Sequence, residues 1–299
     1  MYAYVVGLLV FLILFRAFWT PDLLFLMLLG LFVLLGQGKR FIRDFLPFVA
    51  VIVIYDSFRG IADTLQSRVH VTEMIAADKW LGGGTLPTVR LQDWLYSGQL
   101  AWYDFAFHTV YMLHFIAPLI LGVLIWKYRA RLYWPYVTGF VILSLAAFVT
   151  YAVFPAAPPW MAAEMGVISG VHRMITDIWL AYGAQSFPTL YTNLSPNEVA
   201  AVPSLHVAYP VLIAMFAWRA FGRRIGLATL AYPLVISFGV VYIGEHYLID
   251  VVLGLLYAGL AYLATVTIYH YAASPQRHLT PVMASALVAV LLRSKGKAA

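Results

Sequence analysis

The segments Val202-Pro203-Ser204-Leu205-His206 and Gly244-Glu245-His246-Tyr247-Leu248-Ile249-Asp250 each begin a long apolar run. Their histidines, His206 and His246, are 40 residues apart. His246 and Asp250 have the i, i+4 spacing that places two side chains on one face of a helix. A histidine held by a carboxylate, with a second histidine across a gap, can supply acid, base and nucleophile without a metal. The pair therefore indicates an enzyme.

The composition is that of an integral membrane protein. Of the 299 residues, 63% are hydrophobic and 11% are charged, and the mean hydropathy is +0.84. A soluble domain has about 25% charged residues. The sequence therefore predicts an all-α, polytopic membrane helix bundle. The chain has no cysteine, which excludes disulfides and thiolate metal sites. The net charge of +6 is interpreted as an excess of positive charge on the cytoplasmic side, not as a nucleic-acid surface.

Apolar runs predict about eight spans. They cover residues 2–18, 22–37, 45–62, 102–126, 133–154, 203–221, 226–244 and 247–271. We expect three regions: an N-terminal membrane hairpin at 1–44, a catalytic membrane core at 45–271 and a basic cytoplasmic tail at 272–299. The first span is interpreted as retained, because it lacks a basic leader and a cleavage site. Residues 280–292 are too few for a span and predict an interfacial helix.

Basic clusters orient the predicted spans. Lysines and arginines follow the second, fourth and sixth spans and recur in the tail, at residues 39–43, 127–131, 219–224 and 293–297. Eight spans put all four clusters on one side, which is then cytoplasmic, as are both termini. The segments 63–101 and 155–202 are extracytoplasmic in this topology. His206 and His246 then lie at the same extracytoplasmic face, on two separate helices.

The residue types suggest phosphoryl transfer at that face. Asp250 would fix the tautomer of His246 and leave one ring nitrogen nucleophilic. His206 would protonate the leaving oxygen and later activate the acceptor. Backbone amides near Ser204 could bind an anion at the positive end of the helix. Two alternatives remain open from the residues alone: hydrogen-bonded packing of the histidines, and a zinc site without the usual spacing of ligands.

The two segments resemble the second and third signature motifs of the phosphatidic acid phosphatase type 2 superfamily. They are most similar to its lipid phosphotransferase branch, the inositol phosphorylceramide synthases and, more distantly, the sphingomyelin synthases. The resemblance covers roughly residues 45–271 and implies a six-helix core that needs no metal or other cofactor. It implies His246 as the nucleophile that forms a phosphohistidine, and Asp250 as the group that orients it. It also implies His206 as acid and base, and Ser204 as a phosphate contact.

One feature departs from the phosphatases of this superfamily, which carry an arginine six residues before the second histidine. Here that position is Val240, so the phosphate needs another cation. Arg59, near the outer end of the third span, is the first candidate. Asp56 then binds acceptor hydroxyls, or instead neutralises Arg59 in an inert pair. Arg173, in the segment 155–202, is the second candidate.

Two further segments flank the predicted site. Phe154-Pro155-Ala156-Ala157-Pro158-Pro159-Trp160 is interpreted as a rigid interfacial turn, with a wall of the substrate cleft as the alternative. Glu245 precedes His246, and adjacent helical residues point apart. We therefore expect Glu245 to face solvent or a headgroup.

The resulting prediction is a multi-pass cell-membrane enzyme with an extracytoplasmic active site. It moves a phosphoryl headgroup, for example phosphoinositol, from a phospholipid to a lipid or polyol alcohol through a phosphohistidine. A lipid phosphate or isoprenoid diphosphate phosphatase is the first alternative, since water could replace the alcohol. A proton-coupled transporter is the second, because intramembrane histidine and aspartate also serve transport. The expected partners are membrane lipids, and no nucleic acid.

Overall fold

The structure is a computed structural model that describes residues 21–62, 68–183 and 197–272, with side chains described for 25–50, 68–183 and 197–271. These residues form α-helices and no β-strand. The helices are α1 (Pro21–Leu34), α2 (Gly38–Ala62), α3 (Thr72–Leu81), α4 (Pro87–Leu95), α5 (Trp102–Met112), α6 (Ala117–Tyr128), α7 (Tyr133–Val153), α8 (Pro159–Glu164), α9 (Met174–Ala181), α10 (Leu205–Phe221), α11 (Arg223–Thr229), α12 (Ala231–Tyr242) and α13 (Leu248–Ala272). Short 3₁₀ turns at Leu113–Phe115 and Ala130–Leu132 precede α6 and α7.

The described helices confirm the predicted fold class, an all-α membrane bundle. Three helical segments are long and apolar enough to cross a bilayer: Ala130–Val153, Arg223–Tyr242 and Leu248–Tyr271. A bent pair, Trp102–Phe115 with Ala117–Tyr128, makes a fourth candidate. The apolar helices Phe25–Leu34 and Leu205–Phe221 are shorter. The total of eight spans stays a prediction, since residues 2–18 lie outside the described part of the chain, as do residues 280–292.

Three predicted spans differ from the helices of the structure in extent or continuity. The helix expected at 45–62 begins at Gly38, so it runs across the proposed boundary between hairpin and core. The span expected at 102–126 is bent by 52° between α5 and α6. Pro118 lies in the first turn of α6, and its ring would clash with the carbonyl of residue 114 in a continuous helix. The span expected at 226–244 is divided into α11 and α12. The ring of Pro233 would clash with the carbonyl of Thr229, the last residue of α11, in a continuous helix.

The polar segments 63–101 and 155–202 contain helices α3, α4, α8 and α9. Backbone hydrogen bonds join the two segments to each other, and a further bond joins the two ends of the second segment. The His70 amide donates to the Pro155 carbonyl at 2.8 Å, and the Ala157 amide donates to the His70 carbonyl at 3.0 Å. The Ala156 amide donates to the Val199 carbonyl at 2.7 Å. The two segments therefore form one cover over the ends of the central helices.

The central helices α10 and α13 approach closely. A Cβ added to Gly254 on α13 would lie 2.6 Å from the carbonyl oxygen of Ser204, just before α10. Real Cβ atoms do not come this close, so this crossing requires glycine. The Ser204 amide also donates to the Asp250 carbonyl at 3.1 Å. This crossing fixes the starts of the two helices side by side.

Candidate active site

The helix crossing brings the two histidines into contact. His206 is the second residue of α10, and His246 lies in the turn just before α13. The Nδ1 atom of His206 is 3.1 Å from the Nε2 atom of His246, a hydrogen-bond distance. His246 is 5% exposed, and His206 is partly buried. The pair is therefore preorganised before any substrate arrives.

Asp250 lies behind His246 and is fully buried. Its Oδ2 atom is 3.3 Å from Nδ1 of His246 and accepts a 2.9 Å hydrogen bond from the Tyr247 amide. A carboxylate can only accept here, so Nδ1 of His246 carries the proton. The Nε2 atom then presents its lone pair to His206, which donates from Nδ1. This arrangement leaves Nε2 as the unprotonated ring nitrogen of His246.

A tight turn between α12 and α13 presents His246 and its neighbour. The amides of Glu245 and His246 both donate to the Val240 carbonyl at 3.1 Å. Gly244 has φ +84°, and a Cβ there would lie 3.1 Å from the His172 carbonyl oxygen. The left-handed backbone and the close approach of His172 both require glycine.

Two aromatic side chains that the sequence did not single out hold the His206 ring. Tyr111 stacks on it with ring centroids 4.2 Å apart, and His114 lies against it at 4.3 Å with a 39° tilt. Tyr111 lies in the last turn of α5, and His114 lies in the 3₁₀ turn that follows it. The only signal for them in the sequence is Pro118, which predicts an interrupted helix but not its neighbours. Beside the bend, two ring surfaces thus lie against His206.

The histidines open onto a pocket of about 420 Å³, which includes the part open to the outside. Pro158 and Trp160 form one side, so the segment Phe154–Trp160 is a turn and also a wall of the cleft. Its described lining comprises Tyr111, Pro158, Trp160, Arg173, Asn197, Glu198, Ala200, Ala201, His206, Glu245 and His246. The described lining includes one arginine and no lysine.

That arginine is Arg173, at the start of α9. Its guanidinium carbon lies 3.4 Å from the ring centroid of Trp160, and its Nε atom is 3.5 Å from Oε1 of Glu245. Val240, where phosphatases of the resembling superfamily carry arginine, is fully buried in an apolar cluster with Tyr111. A cation would be costly at that position. Within the described lining, Arg173 is thus the cation available to a phosphate.

Some predicted site residues are not placed in the pocket. The backbones of Asp56 and Arg59 belong to α2, but their side chains lie outside the described residues. Ser204 is fully buried, its Oγ has no hydrogen-bond partner among the described residues, and the described lining does not include it. The described residues also contain no group of three side chains suited to hold a metal ion.

Glu245 does not face solvent, and the expectation that it points away from His246 was wrong. The residue is 8% exposed and points into the pocket towards Arg173. The reason is local: Glu245 and His246 lie in a turn, and α13 begins only at Leu248. The helical rule that adjacent side chains diverge therefore does not apply. Burial raises the pKa of Glu245, while the positive charge of Arg173 acts in the opposite direction.

Asp78 is a further buried carboxylate that sequence reasoning missed. It lies on α3, is fully buried, and its Oδ1 atom accepts a 3.0 Å hydrogen bond from the Ile249 amide. It thereby caps the start of α13, the helix that carries Asp250. Burial raises the pKa of Asp78 to about 6, against the effect of the Ile249 hydrogen bond, and the negative charge of Asp250 adds to the rise.

The raised pKa of Asp78 predicts a pH-dependent difference in stability between the wild type and Asp78→Asn. Well below pH 4 the group is neutral in both the folded and the unfolded chain. Between about pH 4 and pH 6 the unfolded chain ionises first, so the wild type loses stability relative to the variant as pH rises. The loss should reach roughly 3 kcal/mol and level off above pH 6.

Thermal midpoints of both proteins, measured in lipid from pH 4 to pH 8, check this expectation. Asp93→Asn, on the exposed side of α4, reports the general effect of removing one carboxylate. A difference between wild type and Asp78→Asn that stays constant across the range would contradict the burial of the charge.

Comparisons with known proteins identify relatives of this chain. The chain is 31% identical over 157 residues to a phosphoinositol dihydroceramide synthase of Bacteroides thetaiotaomicron, covering 49% of this chain and 50% of that protein. It is 23% identical over 244 residues to the inositol phosphorylceramide synthase catalytic subunit of Saccharomyces cerevisiae, covering 79% of this chain and 59% of that protein. The corresponding subunit of Schizosaccharomyces pombe is 23% identical over 223 residues, covering 71% and 51%.

The chain thus spans between half and three fifths of the length of these relatives. No solved structure matches it with significance. The sequence profile of the PAP2 superfamily matches residues 72–264, which include α10, the turn before α13 and both histidines. This match confirms the resemblance inferred from the two motifs. On the strength of that profile, with its matched region holding the paired histidines and their aspartate, the chain belongs to the PAP2 superfamily.

Proposed function

We propose that this protein is a membrane lipid phosphotransferase that works through a phosphohistidine on His246. The observation that carries the proposal is the 3.1 Å contact between Nε2 of His246 and Nδ1 of His206, with Asp250 behind and a pocket in front. A nucleophilic nitrogen and a proton donor thus face the same small volume. This is the arrangement that double displacement at phosphorus requires.

In the first step, Nε2 of His246 attacks the phosphorus of a phospholipid that enters sideways from the bilayer. The bond between phosphorus and the alcohol oxygen of the lipid breaks. His206, which enters this step with a proton on both ring nitrogens, gives one to that oxygen and becomes neutral, and a diacylglycerol-like alcohol leaves. The direct contact of the two histidines must open to admit the phosphoryl group, so substrate binding replaces their mutual hydrogen bond with contacts to phosphate oxygens.

In the second step, the neutral His206 takes the proton of an acceptor hydroxyl. The acceptor oxygen attacks phosphorus, and the bond from phosphorus to His246 breaks. Asp250 stabilises the positive charge that the His246 ring carries while its Nε2 atom is bonded to phosphorus. Water in place of the acceptor would yield hydrolysis by the same residues.

Arg173 supplies positive charge for the phosphate in this scheme. Its stacking on Trp160 holds the planar guanidinium in the pocket, where its N–H groups can form paired hydrogen bonds to phosphate oxygens. The first turn of α10 adds backbone amides and the positive end of the helix dipole beside His206. The contact from Ser204 to the substrate stays a prediction of the resemblance, and the contacts from Arg59 and Asp56 stay predictions from the sequence.

The names of the relatives indicate which donor and acceptor lipids to test first. A phosphoinositol dihydroceramide synthase and two inositol phosphorylceramide synthase subunits match this chain. We infer a phosphoinositol-type headgroup as the transferred group and a ceramide-like lipid as the acceptor. The decisive experiment uses purified protein in lipid with a phospholipid labelled in its headgroup phosphate, with and without ceramide, other alcohols or no acceptor. Label in a new lipid supports transfer, and label released only to water supports a phosphatase.

We further propose that residues 45–271 form the catalytic core and that its pocket is extracytoplasmic, with the tail at 272–299 in the cytoplasm. The absence of cysteine makes this testable, because a single introduced cysteine has no competitor. Ser169 and Ala130 are exposed, on the pocket side and beside the basic turn before α7, respectively. In intact cells Ser169→Cys should react with a membrane-impermeant maleimide, whereas Ala130→Cys should react only after permeabilisation. The reverse pattern would overturn the topology.

A further inference from the structure

Glu245 is an unexpected side chain to find in a phosphate pocket. It is 8% exposed, precedes the His246 nucleophile and shares the pocket lining with both histidines. Its carboxylate faces the guanidinium of Arg173 at 3.5 Å. An ionised carboxylate only accepts hydrogen bonds, so it repels the oxygens of a phosphate group and attracts O–H or N–H donors.

The charges of the described pocket lining are unsuited to a phosphomonoester dianion. Against the single positive charge of Arg173, the described lining holds Glu198 and Glu245, and Asp250 lies behind His246. A dianion in this partly buried site would lack the excess of cations that offsets its desolvation. A phosphodiester carries one negative charge. A headgroup rich in hydroxyls would in addition provide donors for the carboxylate.

We propose that Glu245 selects the donor lipid by accepting hydrogen bonds from hydroxyls of a polyol headgroup, while Arg173 turns from Glu245 to the phosphodiester oxygens. This rests on the proposed phosphotransferase function and names the residue that decides which headgroup is transferred. The ion pair seen in the structure is then the resting state of the headgroup subsite. Gly244 and the two hydrogen bonds from backbone amides to the Val240 carbonyl fix the turn that carries Glu245 and His246. The headgroup and the phosphorus are therefore positioned together.

The test measures binding of two soluble headgroup probes to the full chain in lipid nanodiscs by titration calorimetry. Glycerophosphoinositol is a diester with a polyol, and glycerol 3-phosphate is a monoester. The wild type should prefer the diester. Glu245→Gln should lower the affinity for glycerophosphoinositol by about tenfold to a hundredfold, since the carboxylate accepts charge-assisted hydrogen bonds, and should leave or improve that for glycerol 3-phosphate.

Two further variants separate an effect on headgroup selection from a general effect of the substitution. Glu164→Gln makes the same substitution at an exposed position on α8 and should keep the wild-type preference. Glu245→Gln combined with Arg173→Gln removes both charges, so no buried charge is left alone. This pair should fold with a thermal midpoint near that of the wild type and should bind both probes weakly without preference.

Each other outcome overturns the proposal. An equal loss of affinity for both probes in Glu245→Gln would assign the residue a structural role. An unchanged preference, or no binding of glycerophosphoinositol by the wild type, would remove the headgroup subsite. The phosphotransferase proposal fails on a different readout, the absence of His246-dependent turnover of any phospholipid, which binding of the probes does not require.

Discussion

Replacing His246 with alanine should lower headgroup transfer by roughly 10⁴-fold or more, the scale of loss when a hydrolase loses its covalent nucleophile. The reason is that Nε2 is the nitrogen left free by Asp250, and His206 offers its Nδ1 atom only as a proton donor to it. No other described side chain occupies the same position in the pocket. Transfer of labelled headgroup to ceramide, measured under single-turnover conditions, checks the expectation.

His270→Ala is the matched control for this prediction. It makes the same substitution on an exposed side chain near the opposite end of α13. Its activity should equal that of the wild type, which separates a general effect on the helix from the loss of the nucleophile. Full activity of His246→Ala would exclude the phosphohistidine route and direct attention back to transport.

Replacing His206 with alanine should lower transfer by about 10²-fold to 10⁴-fold, the usual contribution of a general acid and base. The loss should depend on the leaving group. A 4-nitrophenyl phosphodiester releases a stable phenolate that needs no proton, so its first step should be much less affected. The second step still needs a base for the acceptor, so the covalent intermediate should accumulate.

Two measurements detect this behaviour. The first is a burst of about one nitrophenolate per His206→Ala molecule, followed by slow turnover. The second is headgroup label that stays on the protein after denaturation and is absent from the double variant that also lacks His246. An equal loss of rate for natural and activated donors would show that His206 does not protonate the leaving oxygen.

The features predicted well from the sequence are those that depend on local pattern. Long apolar runs predict membrane helices because backbone polar groups in lipid must be satisfied within the segment. The motifs around His206 and His246 predict the superfamily. The i, i+4 spacing also places Asp250 beside His246, even though the turn, rather than a helix, presents the histidine.

The features that escaped prediction depend on contacts between distant segments. Asp78 caps a helix 171 residues further along the chain, and nothing near Asp78 indicates that partner. Tyr111 and His114 reach His206 because Pro118 interrupts a span, and the direction of the resulting bend depends on packing. The position of Glu245 beside His246 in the pocket was not predicted, because α13 begins only at Leu248 and the turn before it does not follow helical spacing.

The close contact between Gly254 and Ser204 limits which residues the helix crossing can accept, whereas the cover has no such limit from this contact. A larger residue at position 254 would force apart the helices that carry the reacting nitrogens, so substitutions there are penalised in any lineage that keeps the chemistry. The wall formed by Pro158, Trp160 and Arg173 belongs to the cover, which touches the pocket from the other side. Substitutions at Pro158 and Trp160 can therefore change the shape of the pocket without disturbing the helix crossing that holds the two histidines.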